Sequence, residues 1–254
     1  SLALQHAKRA VELEPDCAVY QLILADLQRQ MGSGQEAFDA VESVLARADL
    51  SQLDRADALL LEGQLHATVA PRDLEKAMQQ TVAAVKLAAA RTGDADLTTR
   101  RRARQMLIDA ELSLAQIIAY GPWKKRHTVV PEWLVSAEKA AREFARDSDG
   151  PRTNLLKVYA TSLHCLAILD GQGTPEKIAD AAFKLGQELI AGAGDDDFCA
   201  AVKWQLGTGL WYSAQVCQKH GDADAALQFA RAAHSLLEAA ATMRRERPQT
   251  DYHL

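Results

Sequence analysis

The stretch from Ala18 to Ser51, AVYQLILADLQRQMGSGQEAFDAVESVLARADLS, decides the fold. It holds two amphipathic runs on either side of Gly32. The first, residues 17–31, carries Leu24 and Ala25 on its apolar side; the second carries Ala37, Val41 and Val44 at helical spacing. Ser33 followed by Glu36 is the pattern of a capping box, in which the hydroxyl accepts from the amide three residues on and the carboxylate reaches back, so the second helix is expected to open there. A connection this short makes the two helices antiparallel neighbours.

The same grammar extends in both directions. Upstream, residues 2–13 read as a helix stopped by Glu14-Pro15. Downstream, Ser51 and Asp54 repeat the capping device before a helix at about 52–69, and Pro71 and Asp73 introduce another that ends near Gly93. A long helix at about 97–119 shows the stripe Ala103, Leu107, Ala110, Leu114, Ile117, the spacing of one buried face. Tyr120-Gly121-Pro122-Trp123-Lys124-Lys125-Arg126-His127 then interrupts the pattern. Thr128-Val129-Val130 is the best strand-like run and is short; Pro131, tolerated in a first turn, is expected to start the helix 131–146. After a turn at Asp149-Gly150-Pro151 come helices at about 152–169 and 175–191, the latter capped by Thr174 with Pro175 just inside. Asp195–Asp197 suit the positive end of a helix running to about 219. Gly221-Asp222 turns into the last, about 223–245, closed by Pro248. The expectation is an all-α chain of about eleven helices.

Composition agrees with a globular chain: 48% hydrophobic and 25% charged residues. Aromatics are only 6%, so Ala supplies much of the packing and lets helices approach closely. The net charge of -5 argues against a dedicated nucleic-acid binder. No apolar run approaches the roughly 20 residues that span a bilayer, and the first helix is amphipathic, not a signal peptide. The four cysteines, Cys17, Cys165, Cys199 and Cys217, show no paired close spacing and read as small buried hydrophobes in a reducing compartment. Together with the lack of a targeting segment, this makes the cytoplasm the expected compartment.

The helix pairs recur at about 34 residues. Ala18–Ser51 resembles a tetratricopeptide repeat, in which a large apolar residue, Leu and a small residue mark the first helix and a small-large-small set marks the second. Leu24, Ala25, Ala37, Val41 and Val44 fill those places. Ala3, Ala7, Ala10 and Pro15 match a second helix alone, with Ala10-Val11-Glu12-Leu13-Glu14-Pro15 especially typical. Near the other end Leu210, Ala214 and Cys217, then Ala226, Ala230 and Ala233, repeat the pattern around Gly221-Asp222. Leu59, Gly63, Ala77 and Ala84 fit more loosely, as do Leu163, Leu166, Ala167, Ala179 and Phe183. The division expected is one repeat domain over residues 1–254: a half repeat at 1–15, repeats at about 18–51 and 56–91, a divergent pair at 97–146, and repeats at 152–191 and 197–245. The resemblance implies antiparallel pairs stacked as a right-handed superhelix with a concave groove. The chain opens on a second helix without its partner and closes on Gln249–Leu254, which reads like the start of another first helix; it is expected to be a stretch of a longer signalling or regulatory protein.

The resemblance also implies that the first helix of each pair lines the groove and binds a peptide. Carried over residue by residue, the groove positions are Leu22, Asp26 and Arg29; Leu60 and Gln64; His164; and Thr208, Trp211, Gln215 and Lys219. The family's carboxylate clamp needs asparagines and lysines. Asn154 is the only asparagine, and the matching positions are Leu22, Asp26, Leu60 and Gln64, so chaperone tails are not the expected ligand. Trp204 and Trp211 lie on one stripe with Thr208 and Gln215, opposite a core stripe of Val202, Leu206, Leu210 and Ala214. Either these rings anchor a partner or they pack against the neighbouring pair or a further repeat expected beyond the C-terminal end.

Two basic runs, Arg100-Arg101-Arg102 with Arg104 and Lys124-Lys125-Arg126, sit at opposite ends of one helix, roughly 30 Å apart at about 1.5 Å per residue. They do not make one compact phosphate site and read first as solvated surface. No metal-ligand spacing appears among the histidines. His164 and Cys165 are adjacent and point about 100° apart, so they are no nucleophile–base pair. Ala191-Gly192-Ala193-Gly194 follows a helix and reads as a helix stop, not a phosphate cradle. The expected function is a non-catalytic protein–protein interaction scaffold, with no cofactor, metal or membrane. The alternative is an all-α regulatory domain that binds a small molecule or nucleic acid.

Overall fold

In the computed structural model, residues 2–146, 151–169 and 175–245 are described. They form eleven helices and no strand: α1 (Leu2–Leu13), α2 (Ala18–Gln30), α3 (Gly34–Leu45), α4 (Gln52–Thr68), α5 (Leu74–Ala89), α6 (Leu97–Tyr120), α7 (Arg126–Arg146), α8 (Thr153–Leu169), α9 (Pro175–Ala191), α10 (Asp196–Lys219) and α11 (Ala223–Arg245). The turn at Asp149-Gly150, the cap at Thr174 and the stop at Pro248 lie outside the described residues.

The chain divides into two compact units, residues 1–117 and 118–254, the division falling inside α6. In the first unit α2 packs on α1, α3 and α4, and α4 packs on α3 and α5. Their shared core contains Leu22, Ala25, Ala37, Val41, Val44, Leu61 and Leu65, with Phe38 and Val69 against it. Fully burying a Val or Leu side chain stabilises by about 1.5–3 kcal/mol, so this cluster, not helix propensity, holds α2–α4 together. Leu53, Ala56, Ala88, Ala103 and Met106 form a second cluster. In the second unit α8 packs on α7, α9 and α10, while α10 packs on α8, α9 and α11. Leu163, Ala179, Leu210 and Ala233 meet there, with Tyr212 and Phe229 against them. Each unit is thus a stack of neighbouring helix pairs, as the alternation of short turns and amphipathic helices predicts.

Small residues stand where helices cross closely. A Cβ on Gly63 would lie 2.4 Å from Thr81 Oγ1 and 3.0 Å from the Ala77 carbonyl, and one on Gly207 would lie 2.7 Å from Leu237 Cγ. The turns after α2 and α10 use Gly32 and Gly221 at φ of 86° and 81°, a backbone region that favours glycine.

Four local expectations need correction. Ser33 stands at the N-cap of α3, yet its side chain makes no capping bond. Its ψ of 56° is not extended, its amide donates to the Gln28 carbonyl, and the Glu36 carboxylate accepts from Gln28 Nε2 at 3.0 Å instead of reaching back. Ser51, with ψ of 157°, does cap: its oxygen accepts from the Asp54 amide. Pro131 does not start α7 but lies inside it, and Thr128-Val129-Val130 is helical. Proline lacks the N–H that would donate to the carbonyl four residues back, a loss best tolerated near a helix start. The stripe on α6 is too narrow a description: Ala103, Ala110, Leu114 and Ile117 are buried, but so are Ile108, Glu111, Leu112, Ser113, Ala115, Ile118 and Ala119. Phe183, expected to pack within a repeat, is 40% exposed.

Candidate functional site

The first helices of the second unit's pairs, α8 and α10, lie side by side and run in the same direction. Three contacts set the register: Gly209 faces Ala160, Tyr212 faces His164, and Lys219 reaches the Ala167 carbonyl with Nζ at 2.6 Å. The core side of α10 is closed, with Val202, Leu206, Leu210 and Ala214 all buried. Its other side presents Trp204 and Trp211, exposed by 43% and 49%. These are large apolar surfaces left in water, on a helix whose opposite face is fully used.

Beside them sits a compact aromatic group. His164 of α8 stacks on Tyr212 of α10, ring centroids 4.2 Å apart and planes 15° from parallel. Tyr120, at the end of α6, meets His164 edge-on at 5.7 Å, and its hydroxyl lies 2.9 Å from His164 Nε2. Burial lowers the His164 pKa and raises that of Tyr212, the latter helped by the neighbouring Tyr120. Tyr120 itself is 57% exposed. The group is therefore a neutral aromatic platform at neutral pH, open on the Tyr120 side.

The other groove positions are placed as follows. Thr208 is half-buried, and its hydroxyl donates to the Trp204 carbonyl at 2.9 Å; Gln215 is half-buried, and the Lys219 side chain is exposed. These residues, with His164 and Trp211, all belong to the second unit. Leu22, Asp26, Arg29, Leu60 and Gln64 belong to the first. Leu22 and Leu60 are buried, 4% and 7% exposed, and offer no open surface. Asp26 accepts from its own helix, from Arg29 at 2.7 Å and Gln30 at 2.8 Å. Gln64 is half-buried.

Tyr120 and Tyr212 were not legible as members of this group. Tyr212 lies four residues after Thr208 on the same helix, but its stacking partner comes from a different pair, and Tyr120 is 44 residues from His164.

The arginines Arg100, Arg102, Arg104 and Arg126 of the basic runs are engaged within the fold, while Lys124 and Lys125 are exposed. Arg102 meets Asp54 at 2.7 Å and Asp57 at 3.5 Å. Arg100 donates to the Asp94 carbonyl and Arg104 to the Thr92 carbonyl, tying the start of α6 to the preceding turn. Burial raises the Asp57 pKa, and Arg102 opposes that rise. Arg126 donates to the Ala119 and Gly121 carbonyls at 3.1 and 3.3 Å and so closes the C-terminal end of α6. A cleft of about 290 Å³ at the starts of α4 and α6 is lined by Ser51, Gln52, Leu53, Arg91, Thr98, Thr99 and Arg102. Both of its arginines are already paired with aspartates, Arg91 with Asp94 at 2.7 Å.

Cys165, beside His164, is buried, and burial pushes its thiol up to about 12. All four cysteines are free. Among the described residues, no group of three His, Cys, Asp or Glu side chains is placed to hold a metal, and no helix is long and apolar enough to cross a membrane.

Among solved structures the chain is similar to the crystal structure of BtubC (BKLC) from P. vanneervenii, with a TM-score of 0.56 and 14% identity over 99% of this chain and 90% of that one. At that identity the likeness is one of fold. No protein-family model matches the chain, and no curated protein matches it.

Proposed function

We propose that this chain is a non-catalytic interaction scaffold, built of degenerate tetratricopeptide-like helix pairs, that binds a peptide or protein segment along α8 and α10. The observation that carries the reading is the exposure of Trp204 and Trp211 on a helix whose opposite face is closed by core packing. Tryptophan is the residue type most enriched where truncation costs an interface most. The tyrosine–histidine platform extends the same surface with rings that lose little conformational entropy on binding. Aromatic area of this kind suits a partner side chain. Cys165, next to His164 in sequence, is buried and its thiol pushed up, so it offers this surface no ready thiolate. Four free cysteines support a reducing compartment, and we place the chain in the cytoplasm on that ground.

The reading is tested by panning a displayed library of random peptides on the folded chain. Clones are then counter-screened on a variant carrying both Trp204→Ala and Trp211→Ala. Sequences that bind the parent and lose the variant are the expected result. A library that yields only clones binding both chains equally would reject the site. The alternative, a small-molecule regulatory domain, has its best support in the cleft at the starts of α4 and α6. Its paired arginines leave it less charge to offer an anion than its composition implies.

A further inference from the structure

The first unit buries an acid that the surface on α8 and α10 leaves unused. Glu62 projects from α4 with its side chain 14% exposed, one helical turn before His66, whose side chain is 18% exposed. Glu62 Oε1 lies 3.8 Å from His66 Nε2, beyond the length of a hydrogen bond. The other oxygen, Oε2, is buried and meets no hydrogen-bond donor. An ionised carboxylate held in this way loses hydration and gains little in return. The helices leave no room to restore that water. Next to Glu62, Gly63 lets α4 approach Thr81 and Ala77 of α5 closely, so separating the two helices would break their tightest contact.

The charged groups of the surrounding helices do not relieve this carboxylate. From α3, Phe38 lies against the His66 ring, centroids 5.0 Å apart, and Glu42 brings a second negative charge toward Glu62. From α5, Gln80 supports the carboxylate as a neutral amide, while Glu75, Lys76 and Lys86 are exposed. On α2, Asp26 and Arg29 pair with each other at 2.7 Å. On α6, Arg102 and Asp109 act on Asp57, five residues before Glu62 on α4. Among the described residues that act on Glu62, the basic one is His66.

We propose that Glu62 is a proton-operated latch at the junction of α3, α4 and α5: a proton taken from solvent onto its carboxyl group removes the buried charge and tightens the first unit as the medium turns mildly acidic. Burial raises the Glu62 pKa from the ordinary value of 4.5; His66 and Gln80 oppose the rise, and Glu42 adds to it. The folded chain therefore binds this proton at higher pH than the unfolded chain does. The stabilising contribution of protonated Glu62 is complete below the unfolded value and is lost as pH rises through the folded one.

Hydrogen exchange followed by mass spectrometry reads the amides of α3–α5 separately from the rest of the chain. Protection, corrected for the intrinsic pH dependence of exchange, is compared between the parent and Glu62→Gln, whose amide keeps the shape of the side chain without its charge. At about pH 7 the variant is expected to be several-fold better protected than the parent, and the ratio should fall to about one near pH 4.5. In a His66→Gln background the two curves should converge at higher pH, and in a Glu42→Gln background at lower pH, because these changes remove a group that opposes the rise and one that adds to it. A ratio that does not change with pH, or a variant less protected than the parent at about pH 7, would overturn the proposal. So would a response that vanishes in His66→Gln, which would assign the proton to the imidazole. Loss of the fold in Glu62→Gln would also overturn it, by showing that the fold needs the charge.

Discussion

His164 shows how one side chain couples the platform to stability. Burial lowers its pKa from the ordinary value of 6.5, so the folded chain takes up this proton at lower pH than the unfolded chain does. The contribution of neutral His164 is then complete above the unfolded value. It is lost as pH falls from there through the folded value, where further acid has no more effect through this group. His164→Gln is expected to lose less stability than the parent between about pH 7.5 and about pH 5, measured as the difference in urea midpoints. Parallel losses would mean that the imidazole is not the group responsible. Gly63 makes a steric case. A Cβ there would displace Thr81 Oγ1, itself donating to the Ala77 carbonyl at 2.8 Å. Overpacking costs about 1–3 kcal/mol and exceeds the roughly 1 kcal/mol that alanine gains in a helix. Gly63→Ala should therefore lower the urea midpoint, whereas Gly93→Ala, with nothing within 4 Å, should shift stability by no more than about 0.5 kcal/mol.

At the scale of elements, the helices were legible because their signals are local. Amphipathic spacing located the cores of α2, α3 and α10, and Ser51, Asp73 and Asp195 cap the helices they precede. The failures have equally local causes. A Ser-x-x-Glu pattern does not reveal the ψ of the serine, and the positive φ at Gly32 with the Ser33–Gln28 bond holds Ser33 out of the capping conformation. The reading of the basic runs as solvated surface holds for Lys124 and Lys125, which are exposed, and not for Arg102, whose partner Asp57 is 45 residues away. Arg100, Arg102, Arg104 and Arg126 are ties at the two ends of α6. Its C-terminal tie can be tested. Arg126→Ala removes two bonds to carbonyls at the end of the helix and is expected to cost about 1–2 kcal/mol in chemical denaturation. Lys124→Ala and Lys125→Ala, exposed next to it, should change stability by no more than about 0.5 kcal/mol. Equal effects at all three positions would show that Arg126 has no special role.

At the scale of the whole molecule, the stack of helix pairs followed from the sequence, while the regular period did not persist. The first helices of successive pairs begin at Ala18, Gln52, Leu97, Thr153 and Asp196, so their spacing is not constant. The candidate site was half legible. Trp211, Gln215 and Lys219 share one helix and could be found by spacing; the platform that Tyr212 and Tyr120 build with His164 depends on packing between helices and could not. The transfer of groove positions to the first unit met buried leucines at Leu22 and Leu60, because an apolar residue at a nominal groove position can turn into the core. The central claim is that the open face of α10 is present for a partner and not for the fold. Its most direct test compares Trp211→Ala with the parent in two measurements on the same preparation: affinity for a library-selected peptide and thermal unfolding. The account predicts a loss of affinity of about tenfold or more with the melting temperature essentially unchanged. Unchanged affinity, or a collapse of the melting temperature, would contradict it.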